Sequence, residues 1–141
     1  VLSSKDAVFD FSPDSPCVTD ALLRELAGVH HVRLPYCRNI TDQGVQALAG
    51  VQVICLEGCR WITDAAVRAL AGAQTVDLTG CSSVTDDGVR ALAGVRSINL
   101  RDCYMVTDTG VRALRTAQTV GLWGCWQVTD VGVRALAGAA A

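Results

Sequence analysis

Residues 51–72 read VQVICLEGCRWITDAAVRALAG, and residues 73–94 read AQTVDLTGCSSVTDDGVRALAG. The two stretches align without a gap, and their Thr-Asp pair recurs through the chain. It stands at Thr19-Asp20, Thr41-Asp42, Thr63-Asp64, Thr85-Asp86, Thr107-Asp108 and Thr129-Asp130, always 22 residues apart. A fixed period of roughly 20 to 29 residues marks a solenoid, in which each unit buries its apolar face only by stacking on its neighbours. Within a unit the hydrophobic period changes. Val53 to Glu57 alternates with Ile54 and Leu56 on one face, as a strand does, whereas Ile62, Ala66, Val67, Leu70 and Ala71 follow helical spacing. Each unit is therefore predicted to be strand, loop and short helix.

The same columns extend in both directions. Leu34, Leu56, Leu78, Leu100 and Leu122 fall on the strands, and Leu26, Leu48, Leu70, Leu92, Leu114 and Leu136 on the helices, giving one continuous core. Phe9-Asp10-Phe11 matches the strand alternation if one residue is inserted before Thr19, which predicts a sixth strand with Pro13 and Pro16 in the loop after it. Gly28, Gly50, Gly72, Gly94 and Gly138 stand where helices should end, with Thr116 the exception. Thr or Asp is expected to cap each helix start. Asp64–Arg68, Asp86–Arg90, Asp108–Arg112 and Asp130–Arg134, spaced i,i+4, are expected to pair on a solvated helix face. Strands stack at about 4.8 Å and helices at about 8–10 Å, so the stack must curve with its strands on the concave side.

Composition sets the outer limits. The chain has 141 residues, 50% of them hydrophobic, 18% charged and 5% aromatic, and a net charge of −2. That argues for a folded, single-domain chain and against an electrostatic grip on nucleic acid. No apolar run reaches the roughly 18 residues of a membrane span, and no membrane or nucleic-acid partner is expected. Residues 1–18 are read as an N-terminal partial repeat or cap and residues 19–141 as the repeat domain, truncated at its C-terminus because Gly138-Ala139-Ala140-Ala141 adds no capping element.

The pattern Leu-x-x-Cys-x-x-Val-Thr-Asp-x-Gly-Val-x-x-Leu, as in Leu78 to Leu92, resembles the cysteine-containing leucine-rich repeat of F-box proteins, over roughly residues 17–138. That family's repeat runs to about 26 residues, a few more than this one. The resemblance implies an α/β fold: a right-handed leucine-rich-repeat solenoid, a horseshoe arc with a parallel sheet on its concave face and short helices on its convex face. It further implies a protein-binding module that presents substrates to a ubiquitin ligase, joined to an adaptor through an F-box. Val1 to Cys17 is too short to be that F-box. The Gly-Val-Arg-Ala-Leu-Ala helices also resemble repeats of bacterial effectors.

Cys37, Cys59, Cys81, Cys103 and Cys125 form one column where the chain leaves the strand, and are expected to be a buried ladder of inert thiols donating weakly to loop carbonyls. Cys17 and Cys55 lie outside it. No Cys-x-x-Cys, phosphate loop, His-Glu-x-x-His or Gly-x-Ser-x-Gly occurs, so no metal, cofactor or catalytic site is expected. Unpaired thiols and the resemblance together suggest a reducing compartment, cytoplasm or nucleus.

What differs between otherwise matching repeats is not required by the solenoid. Those positions are, on the strands, His31, Val53, Thr75, Ser97 and Thr119; Arg33, Cys55, Asp77, Asn99 and Gly121; and Pro35, Glu57, Thr79, Arg101 and Trp123. The loop beyond adds Tyr36, Arg38, Arg60, Trp61, Asp102, Tyr104, Met105 and Trp126. Trp, Tyr and Arg are the types enriched at binding hot spots, so a protein-binding surface is expected on this wall, mixed in charge. It comprises Arg33, Tyr36, Arg38, Glu57, Arg60, Trp61, Asp77, Asn99, Arg101, Asp102, Tyr104, Trp123 and Trp126. Trp61 and Met105 could instead fold back on their neighbours, and Trp123 could instead contact further repeats; His31 reads as an ordinary exposed histidine. Three roles fit: substrate recognition for an F-box ubiquitin ligase, a scaffold in a large assembly such as a cilium, or an effector imitating the recognition module.

Overall fold

Val32, Ile54, Val76, Ile98 and Val120 lie in one line across a parallel sheet, each the middle residue of a three-residue strand. In the computed structural model, which describes residues 6–13, 15 and 18–138, six such strands alternate with six helices. The order is β1 Val8–Asp10, α1 Asp20–Glu25, β2 His31–Arg33, α2 Asp42–Gln46, β3 Val53–Cys55, α3 Asp64–Ala69, β4 Thr75–Asp77, α4 Asp86–Ala91, β5 Ser97–Asn99, α5 Asp108–Arg112, β6 Thr119–Gly121 and α6 Asp130–Gly138. The sheet order is β1-β2-β3-β4-β5-β6, and each helix packs on the next. β1 joins with Phe9 opposite Val32, a step one residue longer than the others, as the expected insertion requires. Cys17 and Pro16 lie outside the described residues. Among those described, no helix is long and apolar enough to cross a membrane.

The core is the stack of columns read from the sequence. The strand leucines Leu34, Leu56, Leu78 and Leu100 are fully buried, as are Ile40, Ile62, Val84 and Val106 ahead of the helices. Burying each such side chain is worth about 1.5–3 kcal/mol, and every described unit except the last is covered by the unit that follows it. Leu122, Val128 and Leu136 in the last repeat are only partly covered, and Val131 and Val133 on α6 stand exposed.

Two ladders of side-chain bonds tie each repeat to the next, and both alter the expectations. Thr, not Asp, caps the helices: the Thr63, Thr85 and Thr107 hydroxyls accept from the backbone N–H two residues on. The neighbouring Asp instead reaches across to the following repeat. Asp64 accepts from the Thr85 backbone N–H at 2.8 Å and from its hydroxyl at 2.5 Å. Asp20–Thr41, Asp42–Thr63, Asp86–Thr107 and Asp108–Thr129 repeat the pair. Among the described residues none of the expected i,i+4 Asp–Arg pairs closes to an ion pair; Arg90 instead bonds Asp87, three residues earlier, at 2.6 Å. The carboxylate is spent on two donors that would otherwise go unpaired at the next helix start, a stronger bargain than an exposed ion pair. The Thr129 bonds hold the Asp108 carboxyl below its usual range, with help from Arg112.

The carboxylate's approach explains the helical glycine. A methyl at Gly44, Gly88, Gly110 or Gly132 would collide with Asp20, Asp64, Asp86 or Asp108 respectively. Ala66 holds the same place in its repeat, and Asp42 still bonds Thr63 at 2.7 and 2.6 Å. The glycines after the helices are less uniform than expected. Gly28 and Gly50 take the left-handed conformation, whereas Gly72 and Gly94 do not. Thr116, the exception in that column, donates to the Ala93 carbonyl of the preceding repeat at 2.9 Å.

The second ladder is the cysteine column. Cys59 donates to the Leu34 carbonyl at 3.0 Å, Cys81 to Leu56 at 3.2 Å, Cys103 to Leu78 at 3.1 Å and Cys125 to Leu100 at 3.0 Å. The acceptors are the carbonyls just past the strands of the previous repeat, and Cys37 and Cys59 also reach the loop carbonyls of Pro35 and Glu57 at 3.8 and 3.9 Å. Burial pushes the Cys59 and Cys103 thiols up to about 12 and raises Cys81 as well. They are neutral donors, not nucleophiles.

Candidate functional site

The strands stop after three residues, but their hydrogen bonding does not. Tyr36 N–H donates to the Glu57 carbonyl at 2.6 Å, Gly58 to Thr79 at 2.7 Å, Gly80 to Arg101 at 2.8 Å and Asp102 to Trp123 at 2.8 Å. The donors form a second column just past the sheet, and every described member turns left-handed: Tyr36 at φ 56, Gly58 and Gly80 at 72, Asp102 at 59 and Gly124 at 77. Glycine takes this conformation without cost; a side chain pays roughly 1–2 kcal/mol. Tyr36 and Asp102 bear that strain where the fold itself is content with glycine, and such outliers are a pointer to function.

Tyr36 lays its ring across Gly58, where a methyl would collide with it, and its hydroxyl donates to the Glu57 carboxylate at 2.8 Å. Asp102 lies against Gly124 in the same way and has Arg101 at 3.8 Å. Between these two walls the floor is Gly58 and Gly80, and two hollows meet there. One, of about 460 Å³, is lined by Tyr36, Arg38, Gly58, Arg60 and Trp61. The other, of about 390 Å³, continues past Gly80 and Ser82 to Asp102 and Tyr104.

The aromatic residues expected on this wall are there and exposed. Trp61 is 68% exposed, Trp123 65% and Trp126 78%, with Tyr36, Tyr104 and Met105 near half. Trp61 and Met105 do not fold back on their neighbours. Trp123 lies just past β6 rather than within it, and Arg101 stacks on its ring with the guanidinium carbon 4.2 Å from the centroid, worth about 0.5–1 kcal/mol at an exposed place.

Other expected residues are in place but already engaged. Arg33 is exposed, 3.8 Å from Asp10. Asp77 accepts from the Thr79 backbone at 2.9 Å and hydroxyl at 2.6 Å, and Asn99 from the Arg101 backbone at 3.1 Å, so both finish their strands. Cys55 and Pro35 are buried and His31 half-buried. The Cys55 thiol and the Glu57 and Asp77 carboxylates come within 4.8 Å of one another. Burial raises the Cys55 thiol and Asp77 raises it further, so the cluster keeps its proton. Sequence reasoning passed over this cluster and the left-handed column. The signal for the latter was present: Gly58, Gly80 and Gly124 share one position of the repeat with Tyr36 and Asp102.

A model of the family described as Leucine Rich repeat matches residues 29–49 and 74–93. No curated protein matches the sequence. Among solved structures the chain is similar to Rad7 from yeast, in a crystal structure of the Rad7 and Elc1 complex, with a TM-score of 0.72 and 17% identity. The match covers 86% of this chain and 37% of that one, so the chain spans well under half of that neighbour's length. The likeness is one of fold, and it agrees with the six-stranded parallel sheet and its alternating helices. The chain folds as a leucine-rich-repeat solenoid, and its column of cysteines is consistent with a cysteine-containing repeat.

Proposed function

We propose that the chain is a protein-recognition module, working through the strand face and the edge just beyond it. The observation that carries this reading is the exposure there of all three tryptophans and both tyrosines, interleaved with Arg33, Arg38, Arg60 and Arg101, while the buried columns are aliphatic. Exposed Trp costs free energy in water and is enriched where partners dock. The finer reading is substrate recognition in an F-box type ubiquitin ligase. It is supported by the resemblance of the repeat and by a fold neighbour, Rad7, crystallised with a protein partner, Elc1. Adaptor contact would then come from an F-box elsewhere in the full protein, and the neutral, buried thiols of Cys59, Cys81 and Cys103 suit a cytoplasmic or nuclear setting.

The test is affinity capture with the chain, followed by titration of the captured partner against variants. Trp123→Ala and Arg101→Ala should each weaken binding about tenfold or more, and Arg112→Ala on the helix side should leave it unchanged. The opposite pattern would put the recognition surface on the wrong wall. For the ligase reading, the full-length protein should copurify with an F-box adaptor; failure to do so would remove that role and keep the binding module.

A further inference from the structure

The trough between Tyr36 and Asp102 has a chemistry of its own. Among the described residues no carboxylate lines its Arg60 end, and the Arg60 guanidinium makes no ion pair or hydrogen bond. Trp61 stands beside it with two thirds of its surface exposed. The Tyr36 ring covers the Gly58 end of the floor, but at Gly80 a methyl would meet only the Gly58 backbone, at 3.7 Å, so a main chain can lie close above Gly80. At the far end stands Tyr104, in the same column as Arg60 and two repeats on. With neighbouring strands about 4.8 Å apart and an extended residue spanning about 3.3 Å, that distance is about three residues of extended chain.

We infer that this trough binds an extended acidic peptide segment, with a carboxylate on Arg60, main chain over Gly80, and an apolar side chain about three residues away against Tyr104. The occupant is acidic because the Arg60 guanidinium has no carboxylate partner among the described residues. A polyanion such as nucleic acid is disfavoured by Asp102 on the far wall and by the chain's net charge of −2. The strain held at Tyr36 and Asp102 has its use here, since glycine at either place would leave the trough without an end wall. The inference rests on the protein-recognition reading, but it uses residues distinct from the Trp123–Arg101 pair.

The experiment is selection of random dodecapeptides displayed on phage against the intact chain, then fluorescence anisotropy with the most enriched synthetic peptide. Enriched sequences should carry Asp or Glu with an apolar residue about three positions away. Arg60→Glu should weaken the peptide about tenfold or more, and exchange of its acidic residue for Lys should restore binding to that variant. Ser82→Phe, which fills the trough and keeps the Arg60 charge, should weaken it to a similar degree, whereas Trp123→Ala should leave it within about twofold. No enrichment, enrichment of sequences without an acidic residue, or a peptide indifferent to both Arg60→Glu and Ser82→Phe would overturn the inference. If Trp123→Ala abolishes capture of a folded partner while the peptide results fail, the recognition reading stands and the trough does not.

Discussion

Each repeat turns twice, once on leaving its strand and once on entering its helix, and the two turns are built on opposite plans. The turn into the helix has the same residues every time, with Thr at the cap and an Asp from the preceding unit bonded to it. The turn out of the strand holds only its backbone constant: every described residue in that column is left-handed, yet the side chain is Tyr36, nothing, nothing, Asp102 and nothing in succession. One edge bonds its side chains to the neighbouring repeat in every unit, whereas in the other Tyr36 reaches across to Glu57 and Asp102 pairs within its own unit with Arg101. Constancy between repeats marks structure, and variation over a constant backbone marks the place where the molecule can afford to be particular.

The contrast breaks most sharply at the carboxylates. Asp64→Ala should cost about 2–3 kcal/mol in denaturant unfolding, because it removes two charge-assisted bonds and strands the Thr85 donors. Asp102→Ala on the other edge should cost far less. A matching loss would mean that the variable edge is structural too. Acid should act on the same ladder. The Asp108 carboxyl is depressed in the folded chain, so its contribution is present above the ordinary value near 3.8 and is lost as pH falls through the lower folded value. Asp108→Asn should flatten that acid limb.

Next in size comes the cysteine column. Cys81→Ala should cost about 1–2 kcal/mol, from a lost thiol bond and a small void. With folded thiols near 12 at Cys59 and Cys103 against an ordinary 9.0, stability should be full below pH 9 and fall as pH rises toward 12. Native thiol labelling at Cys59 and Cys81 should be slow, and rapid labelling would contradict their role as buried donors. A gain is expected on the variable edge: Asp102→Gly relieves a left-handed side chain and should raise stability by about 0.5–1 kcal/mol while weakening peptide binding. The smallest effect should be at Gly88→Ala. Helix propensity and crowding against Asp64 oppose each other there, and Ala66 already occupies the equivalent place, so the change should stay within about 0.5 kcal/mol.

The repeat, its strand and helix, and nearly every buried residue were legible in the sequence, because hydrophobic spacing within a unit is local information. What the sequence reading misplaced were bonds between units. Asp64 had an inviting partner four residues away in Arg68, and a reading confined to one helix chose it; the true partner, Thr85, lies 21 residues on. Gly88 in the middle of a helix was the available clue, since such a glycine is costly unless something must come close. Of the candidate site, the residue types and the wall they occupy were legible. That Glu57, Asp77 and Asn99 are already bonded within the protein was not, because those bonds depend on how each strand ends.

The inter-repeat ladders also govern which changes in length the molecule can survive. Every Asp–Thr and Cys–Leu bond takes its donor from one unit and its acceptor from the unit before, in the same phase. Duplicating or excising one whole period, such as residues 58–79, brings an Asp below a Thr and a Leu below a Cys once more. An insertion of any other length within the stack must be absorbed in a loop or it breaks both ladders at that joint. Growth by whole units is thus the one large rearrangement this chemistry forgives. It would lengthen the variable edge while leaving the invariant one to assemble as before.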